Sequence, residues 1–274
     1  PGQSGAYTQI VVAASAPTLY YYCTQHSGMG GQANTNSTLG SSNFDGSTQS
    51  TAKVNATAGF SIVTYTGTGS LTTLGHGLGV APKVVITKPR SATGSWGVLH
   101  TVGDPNAEFR LHLNDNGGYS SYQGYKLWGD TVPTSSVFTV REDASTNASS
   151  VTYVAYVFSE VAGYSKFDKY TGTGESSGPF VFTGFRPAWV MIKCSSSTFN
   201  WMIYDSKREP VNLIDKYLMA NSSNAEAGSS TDNPIDFLSN GFKLRYTNTS
   251  TNQNGATYIY FAFAESPFKN ARAR

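Results

Sequence analysis

The chain has 274 residues, 13% of them charged, and its formal net charge is +2 at pH 7. A chain of this length allows one to three domains and can bury a sizeable core. Lys and Arg form no runs apart from a short C-terminal cluster, so the charge pattern gives no support to nucleic-acid binding. No apolar run reaches about 18 residues, so we expect no membrane span.

The composition is that of an all-β protein. Aromatic residues reach 13%, and Gly, Ser, Thr and Asn are abundant, which is the mix expected of β-strands joined by many polar turns. No segment of ten or more residues stands out with helical periodicity. The two cysteines, Cys23 and Cys194, fall in segments that we assign to different domains, so we predict no disulfide between them.

The first motif along the chain is LYYYCTQHSGMG, at residues 19–30. Its aromatic run predicts a strand that enters a tight turn. The motif resembles the C-terminal strand and ligand loop of a cupredoxin, and the resemblance places Cys23, His26 and Met29 at the last three copper ligands. No histidine precedes His26, so the second imidazole of such a site is missing.

We therefore interpret residues 1–30 as a cupredoxin-like fragment with a vestigial site, and we predict no cofactor. Copper binding remains an alternative function. It would require a second histidine, folded to within about 2 Å of a metal that Cys23 and His26 share.

Residues 31–58 are dominated by Gly, Ser, Thr, Asn and Gln and lack apolar periodicity. This pattern predicts a polar linker or an extended arm. Segments of this kind either stay flexible or lie over a neighbour, and the sequence leaves both alternatives open.

The rest of the chain contains a repeat with an offset of 105 residues. The motif YTGTG at residues 65–69 recurs at residues 170–174, and the same offset aligns Trp96 with Trp201. The register persists over about a hundred residues and includes two of the four tryptophans. Because Trp is rare, this agreement indicates an internal duplication.

Units of this size match a β-sandwich or jelly-roll domain. We therefore predict two tandem domains of that kind, at residues 59–166 and 167–274, behind an N-terminal β-hairpin or extended arm. The final strand, at residues 257–265, is apolar on both alternating faces, which predicts that it is covered on both sides. Tyr258 and Tyr260 would then each need a polar partner for the hydroxyl.

Neither unit supplies a convergent catalytic set, and we predict that the protein is not an enzyme. His76 lies between glycines, which is typical of a loop, and its equivalent in the second unit is Val181. Glu160 and Glu265 occupy equivalent positions, and we interpret each as the partner of a basic residue or a turn cap rather than as an acid or base. Cys194 follows a predicted core strand and is interpreted as a small buried residue.

Several aromatic residues are predicted to pack in the core or between domains, and a sharper alternative is that they form a platform that stacks on sugar rings. The candidates for glycan stacking are Trp96, Trp128, Tyr119, Tyr122 and Tyr125.

The repeated motifs also carry a resemblance. YTGTG, GHGLGVAPKVVITK, SWGVLH and YVAYVFSEVAGYSKF, followed by YTGTGESSGPFVFTGFRPAWVMIKC, NWMIYD and YIYFAFAESPFKNARAR, are similar to a duplicated β-rich domain in virion proteins of tailed bacteriophages, especially phages of cyanobacteria and other marine bacteria. The similarity covers about residues 59–274. It implies a structural role in a tail fibre, an appendage or a capsid decoration, and it supplies no catalytic residues.

This resemblance implies a location on the virion surface, outside the cell. The expected partners are other virion proteins, further copies of the chain as a homo-oligomer, with a trimer as the first guess, and a host-surface glycan. A carbohydrate-binding module or adhesin that is not tied to a virion is the alternative.

Overall fold

A computed structural model describes residues 19–22, 30–33, 40–120, 127–228 and 232–265. Its strands in chain order are β1 (Leu19–Tyr22), β2 (Gly30–Ala33), β3 (Ser41–Asn43), β4 (Ser50–Asn55), β5 (Phe60–Thr66), β6 (Thr72–Gly75), β7 (Val84–Pro89), β8 (Gly97–His100), β9 (Val137–Val140), β10 (Thr152–Phe158), β11 (Ser165–Thr171), β12 (Phe180–Phe182), β13 (Trp189–Cys194), β14 (Met202–Asp205), β15 (Leu218–Met219), β16 (Ile235–Leu238), β17 (Gly241–Leu244) and β18 (Thr257–Phe263). Within the described residues the helical structure is one turn, α1 (Thr249–Asn252), and one 3-10 turn (Ala56–Ala58). The predicted all-β class is confirmed.

The chain forms two compact units, residues 1–41 and 42–274. In the first unit β1 pairs with β2 in an antiparallel hairpin, with Tyr22 opposite Gly30. The predicted strand before the cysteine is therefore present. The candidate ligands Cys23, His26 and Met29 lie outside the described residues, so the vestigial site stays a prediction and copper binding stays its alternative.

The first half of the larger unit is a sandwich of two antiparallel sheets. The large sheet has the strand order β3-β4-β5-β10-β7-β8, and β6 pairs with β9 in a small sheet. Along β5 and β10 every second side chain is buried, as expected for strands with one face on a core. Val63 and Ala155 from the large sheet and Leu74 and Phe138 from the small sheet belong to one buried cluster.

The second half repeats this arrangement. Its large sheet has the order β11-β18-β13-β14-β15, and β12, β17 and β16 form the small sheet. The order β11-β18-β13-β14 reproduces β5-β10-β7-β8 strand for strand. A second core cluster includes Val190 and Tyr258 from the large sheet and Val181 and Phe242 from the small one.

The two halves are joined by a third apolar cluster, which we call the shared core. It contains the side chains that each large sheet turns away from its own small sheet. Equivalent residues of both halves contribute to it, in the pairs Val84 and Trp189, Ile86 and Met191, Trp96 and Trp201, Val98 and Ile203, Tyr156 and Phe261, and Phe158 and Phe263. The predicted domains at residues 59–166 and 167–274 are therefore halves of one compact unit rather than separate bodies.

The shared core explains the last strand of the chain. In β18 five consecutive residues, from Tyr258 to Ala262, are buried, because one face of the strand packs in the second half and the other in the shared core. The Tyr258 hydroxyl donates to Thr249 O at 2.6 Å, and the Tyr260 hydroxyl donates to Phe182 O at 3.3 Å. Coverage on both sides and polar partners for both hydroxyls were predicted, and both are confirmed.

The polar segment before the first half contains sheet strands. β4 pairs with β5 from Thr51, which lies opposite Thr64, to Asn55, which lies opposite Phe60. Of the two alternatives for residues 31–58, the structure favours the arm for Ser50–Asn55. Sequence periodicity missed this strand because Ala52 is the only residue of β4 with a buried apolar side chain.

The repeated motif YTGTG fastens each half to its final strand. In the first half Tyr65 stacks on Tyr153, with ring centroids 5.2 Å apart, and its hydroxyl donates to Thr146 O at 2.6 Å. In the second half Tyr170 stacks on Tyr258 at 5.0 Å and donates to Thr251 O at 2.7 Å. These contacts hold the start of each half against its end.

The glycines of the motif allow close backbone contact. A Cβ on Gly67 would lie 2.1 Å from Ala148 O, and one on Gly172 would lie 2.3 Å from Gln253 O. The last glycine of each motif, Gly69 or Gly174, has a φ of about +70°. The tyrosine and both glycines of the motif therefore have structural roles.

A buried asparagine completes each copy of this arrangement. Asn252 is fully buried. Its Oδ1 accepts from Thr173 N at 2.9 Å, and its Nδ2 donates to Glu175 O and Tyr246 O at 2.8 and 2.9 Å. Asn147 makes the equivalent contact with Thr68 N in the first half.

We expect Asn252→Ala to lower the free energy of unfolding by roughly 2–4 kcal/mol, because three hydrogen bonds between a fully buried side chain and the backbone are lost. Urea denaturation monitored by tryptophan fluorescence measures the change. Asn224→Ala is the control, since Asn224 is exposed and its side chain forms no hydrogen bond with the described part of the chain. Equal midpoints for the two variants would contradict the role assigned to Asn252.

Candidate functional site

Of the aromatic residues predicted to stack on sugars, the three that the structure describes, Trp96, Trp128 and Tyr119, pack against other protein side chains. Trp128 is fully buried and packs in the core of the first half, so its prediction as a stacking residue is wrong. Its neighbour Leu127 is buried in the same cluster, which shows that this segment crosses the core. Tyr122 and Tyr125 lie outside the described residues.

The other two candidates are partly covered by protein. Trp96 stacks on Tyr156 with ring centroids 6.3 Å apart, and the Lys88 Nζ lies 5.8 Å from the Trp96 ring centroid. Tyr119 stacks on Phe109 at 5.3 Å. Trp96 and Tyr119 both pack against the shared core. Packing between the halves, the simpler of the two interpretations, therefore accounts for both rings.

The residues interpreted as structural behave as predicted. Glu160 lies 3.2 Å from Lys166 Nζ and accepts from Phe167 N at 2.9 Å. The equivalent Glu265 lies 2.6 Å from Lys207 Nζ. Cys194 is fully buried. Both carboxylates are therefore bound to basic residues, as expected.

His76 lies on the loop after β6, as predicted, and its side chain is buried there. Its Nδ1 accepts from Leu78 N at 3.2 Å, and its Nε2–H donates to Thr134 O at 3.2 Å. Burial lowers its pKa, so the ring is neutral and links two loops.

His112 is part of a Ser-His-Asp arrangement that the sequence did not reveal. Its Nδ1 lies 3.1 Å from Asp115 Oδ2 and its Nε2 lies 3.4 Å from Ser145 Oγ. Such a set activates serine in hydrolases. Here Arg110 Nε–H donates to the same Nε2 at 3.2 Å, and Ser145 is 3% exposed. The geometry therefore binds Arg110 and leaves Ser145 without a base.

Spacing could not reveal this cluster, because Ser145 lies 33 residues from His112. The His112 carbonyl also accepts from Trp201 Nε1 at 3.0 Å. The cluster is thus a contact between the two halves, and burial followed by the charge of Arg110 lowers the pKa of His112.

His100 is a second buried histidine at the junction of the halves. Its Nε2–H donates to Tyr260 O at 3.3 Å, its Nδ1 accepts from Gly103 N at 3.3 Å, and its ring packs edge-on against Phe261. Burial lowers its pKa to about 4. Protonation of Nδ1 would direct a second N–H at the Gly103 N–H.

A polar cleft of about 240 Å³ lies at the end of the first large sheet. Its lining residues are Gln49, Ser50, Thr51, Thr64, Tyr65, Thr66, Arg90 and Thr152. Arg90 is exposed, it is the only charged residue of this lining, and it makes no ion pair among the described residues. Sequence reasoning missed the cleft because its residues come from four separate segments of the chain.

The register of the sheet brings the hydroxyl groups of the cleft together. Thr51 lies opposite Thr64, and Thr66 lies opposite Thr152. Thr64 and Thr66 are two residues apart on β5 and so share one face. Arg90 N donates to Thr152 O at 2.7 Å, so Arg90 lies next to Thr152 at the end of this row of threonines. The cleft can therefore form several hydrogen bonds beside one positive charge.

The part of the chain that the structure describes contains no cluster of three or more His, Cys, Asp or Glu side chains that could hold a metal. It also contains no helix that is long and apolar enough to cross a membrane.

We expect stability to fall as the pH drops from about 6.5 towards 4, because unfolded His100 takes up a proton near pH 6.5 and folded His100 only near pH 4. Urea midpoints measured between pH 8 and pH 4 show the slope. His100→Gln should be less stable at pH 8 and should lose less stability on acidification.

Trp201→Phe is the control for that experiment. It removes the bond to the His112 carbonyl at the same junction and adds no titrating group, so it should keep the wild-type slope. An unchanged slope in His100→Gln would show that His100 is not the acid-sensitive group.

Comparison with known proteins identifies the family to which the chain belongs. No curated protein and no solved structure matches the chain. A family model described as a domain of unknown function, DUF7483, matches residues 33–267. The match covers both halves and the arm, in agreement with the single compact unit. The chain therefore belongs to the DUF7483 family of domains of unknown function.

Proposed function

We propose that the protein is a structural component of a bacteriophage virion, in a fibre, an appendage or a capsid decoration. The observation that carries the proposal is the use of the repeated residues. In each half the YTGTG motif is bonded to the loop before the final strand, through Tyr65 and Asn147 in the first half and through Tyr170 and Asn252 in the second. A body closed in this way at two equivalent places suits a mechanical role, and the resemblance of the motifs to virion proteins points to the same role.

Self-association is the second part of the proposal. Among the described strands β12 pairs with β17 alone, so no described strand covers its other edge. Phe180 and Phe182 on this strand are 44% and 62% exposed, and they share one face because they are two residues apart. An open edge with exposed aromatic residues is a site where another chain can pair. We propose that further copies of the chain pack here, with a trimer as the expected assembly.

A glycan-binding role is the second candidate function. Of the predicted stacking residues, Trp128 is buried, and Trp96 and Tyr119 pack against the shared core. The polar cleft beside Arg90 favours the candidate instead, because its hydroxyl groups and charge can form the hydrogen bonds that a sugar requires.

We expect the purified chain to be a trimer or a larger assembly by light scattering, and Phe180→Ser combined with Phe182→Ser to shift it to a monomer. Phe44→Ser is the control, because Phe44 is 71% exposed but lies in the first half. A wild-type chain that stays monomeric at tens of micromolar would contradict self-association.

The virion assignment has a separate test. An antibody raised against the chain should label purified phage particles in immunogold electron microscopy, at a fibre, an appendage or the capsid surface. Particles that lack the protein by both labelling and mass spectrometry would remove the virion role and leave the glycan-binding candidate standing.

A further inference from the structure

We propose that the cleft beside Arg90 binds a saccharide that carries a carboxylate, such as a uronic acid unit of an acidic glycan. The inference rests on the second candidate function, glycan binding, and is independent of the virion assignment. It names the place of binding, the class of sugar and the residues that recognise it.

The cleft carries a single positive charge, on Arg90. Arg90 is exposed, and neither an ion pair nor a side-chain hydrogen bond occupies its guanidinium among the described residues. The other seven lining residues are neutral. A planar guanidinium with two parallel N–H groups binds a carboxylate in a bidentate manner. The cleft therefore presents one positive charge that can pair with a carboxylate of a ligand.

A row of threonine hydroxyl groups lines the cleft beside Arg90. Thr51, Thr64, Thr66 and Thr152 line the cleft from three adjacent strands, which lie about 4.8 Å apart in a sheet. Each hydroxyl both donates and accepts a hydrogen bond. Sugar hydroxyls have the same dual character, so a ring laid across the strands finds a partner on each of them.

The size of the cleft limits how much of a glycan it can hold. The cleft measures about 240 Å³, below the roughly 300–1,000 Å³ of pockets that enclose drug-sized ligands. It is shallow and largely open to solvent, so it suits one sugar unit within a longer chain. The carboxylate binds at Arg90, and the rest of the glycan continues outside the cleft.

The second half has no equivalent of this cleft. The equivalent of Arg90 is Ser195, which is buried and donates from Oγ to Thr257 O at 3.1 Å. The strand β4, which supplies Thr51, has no equivalent, since β11 is at the edge of its sheet. The cleft is thus an addition to the duplicated fold and is present in one half, so the expected stoichiometry is one sugar site per chain.

Titration of the full chain with trigalacturonate, followed by calorimetry and by backbone amide NMR, tests the proposal. We expect one site per chain and shifted amide signals at Thr64, Thr66 and Thr152. Arg90→Gln should weaken binding at least tenfold. Thr64→Val, which keeps the shape and removes one hydroxyl, should weaken it severalfold.

Two controls make the experiment specific. Arg186→Gln removes an exposed arginine of the second half and should bind as the wild type does. The neutral trisaccharide maltotriose should bind at least tenfold more weakly than trigalacturonate. Circular dichroism of Arg90→Gln should match the wild type, because the Arg90 side chain makes no contact that folding needs.

The outcomes separate the two levels of the proposal. Equal affinity of Arg90→Gln and the wild type for trigalacturonate would overturn the cleft as the site, while glycan binding itself would stand. Equal affinity for maltotriose and trigalacturonate would overturn the recognition of a carboxylate. Absence of binding to both sugars at millimolar concentration would overturn the glycan-binding candidate together with this inference.

Discussion

The apolar contact between the two large sheets is the constraint on which the rest of the structure depends. Each large sheet packs against its own small sheet on one face and against the other large sheet on the opposite face. Strands β10 and β18 contribute to cores on both sides, so their sequences have to be apolar at nearly every position. Tyr156 and Phe158 in one half and Phe261 and Phe263 in the other meet in this contact. Polar surface is then restricted to the sheet edges, the loops and the far ends of the strands.

This constraint explains which side chains could become functional. Side chains near the centre of the sheets are already used in one of the three cores, as Tyr153 and Phe261 show. Histidines in these regions bind backbone groups, as His76 and His100 do. Groups that are available for a ligand lie at the ends of the strands, where the threonines and Arg90 form the polar cleft.

Much of the fold could be predicted from the sequence, because the repeat supplies two independent views of one pattern. The class, the two similar halves, the buried final strand with its tyrosine hydroxyls and the paired Glu160 and Glu265 all follow from local patterns. The shared core did not follow, since a strand that is apolar on both faces does not say what covers it. Strand β4 was missed because its polar side chains resemble those of a loop.

The candidate site was harder to predict for a physical reason. Trp128 and Trp96 are chemically equal in the sequence, and only the packing decides that one is buried in a core and the other lies at the junction. The cleft and the His112 cluster combine residues that are far apart in the chain, as Arg110, His112 and Ser145 show. Their chemistry arises from strand register and loop placement, which no local spacing records.

The shared core has the character of a two-fold interface. Equivalent positions such as Trp96 and Trp201, or Val98 and Ile203, face the same contact from both sides, as in an isologous dimer. One half on its own would expose this apolar face and would pair with a copy of itself at a cost set by protein concentration. Joining both copies in one chain makes that pairing intramolecular. The two halves then no longer have to be identical. One half can therefore gain a surface that the other lacks, while the contact between the halves stays the same.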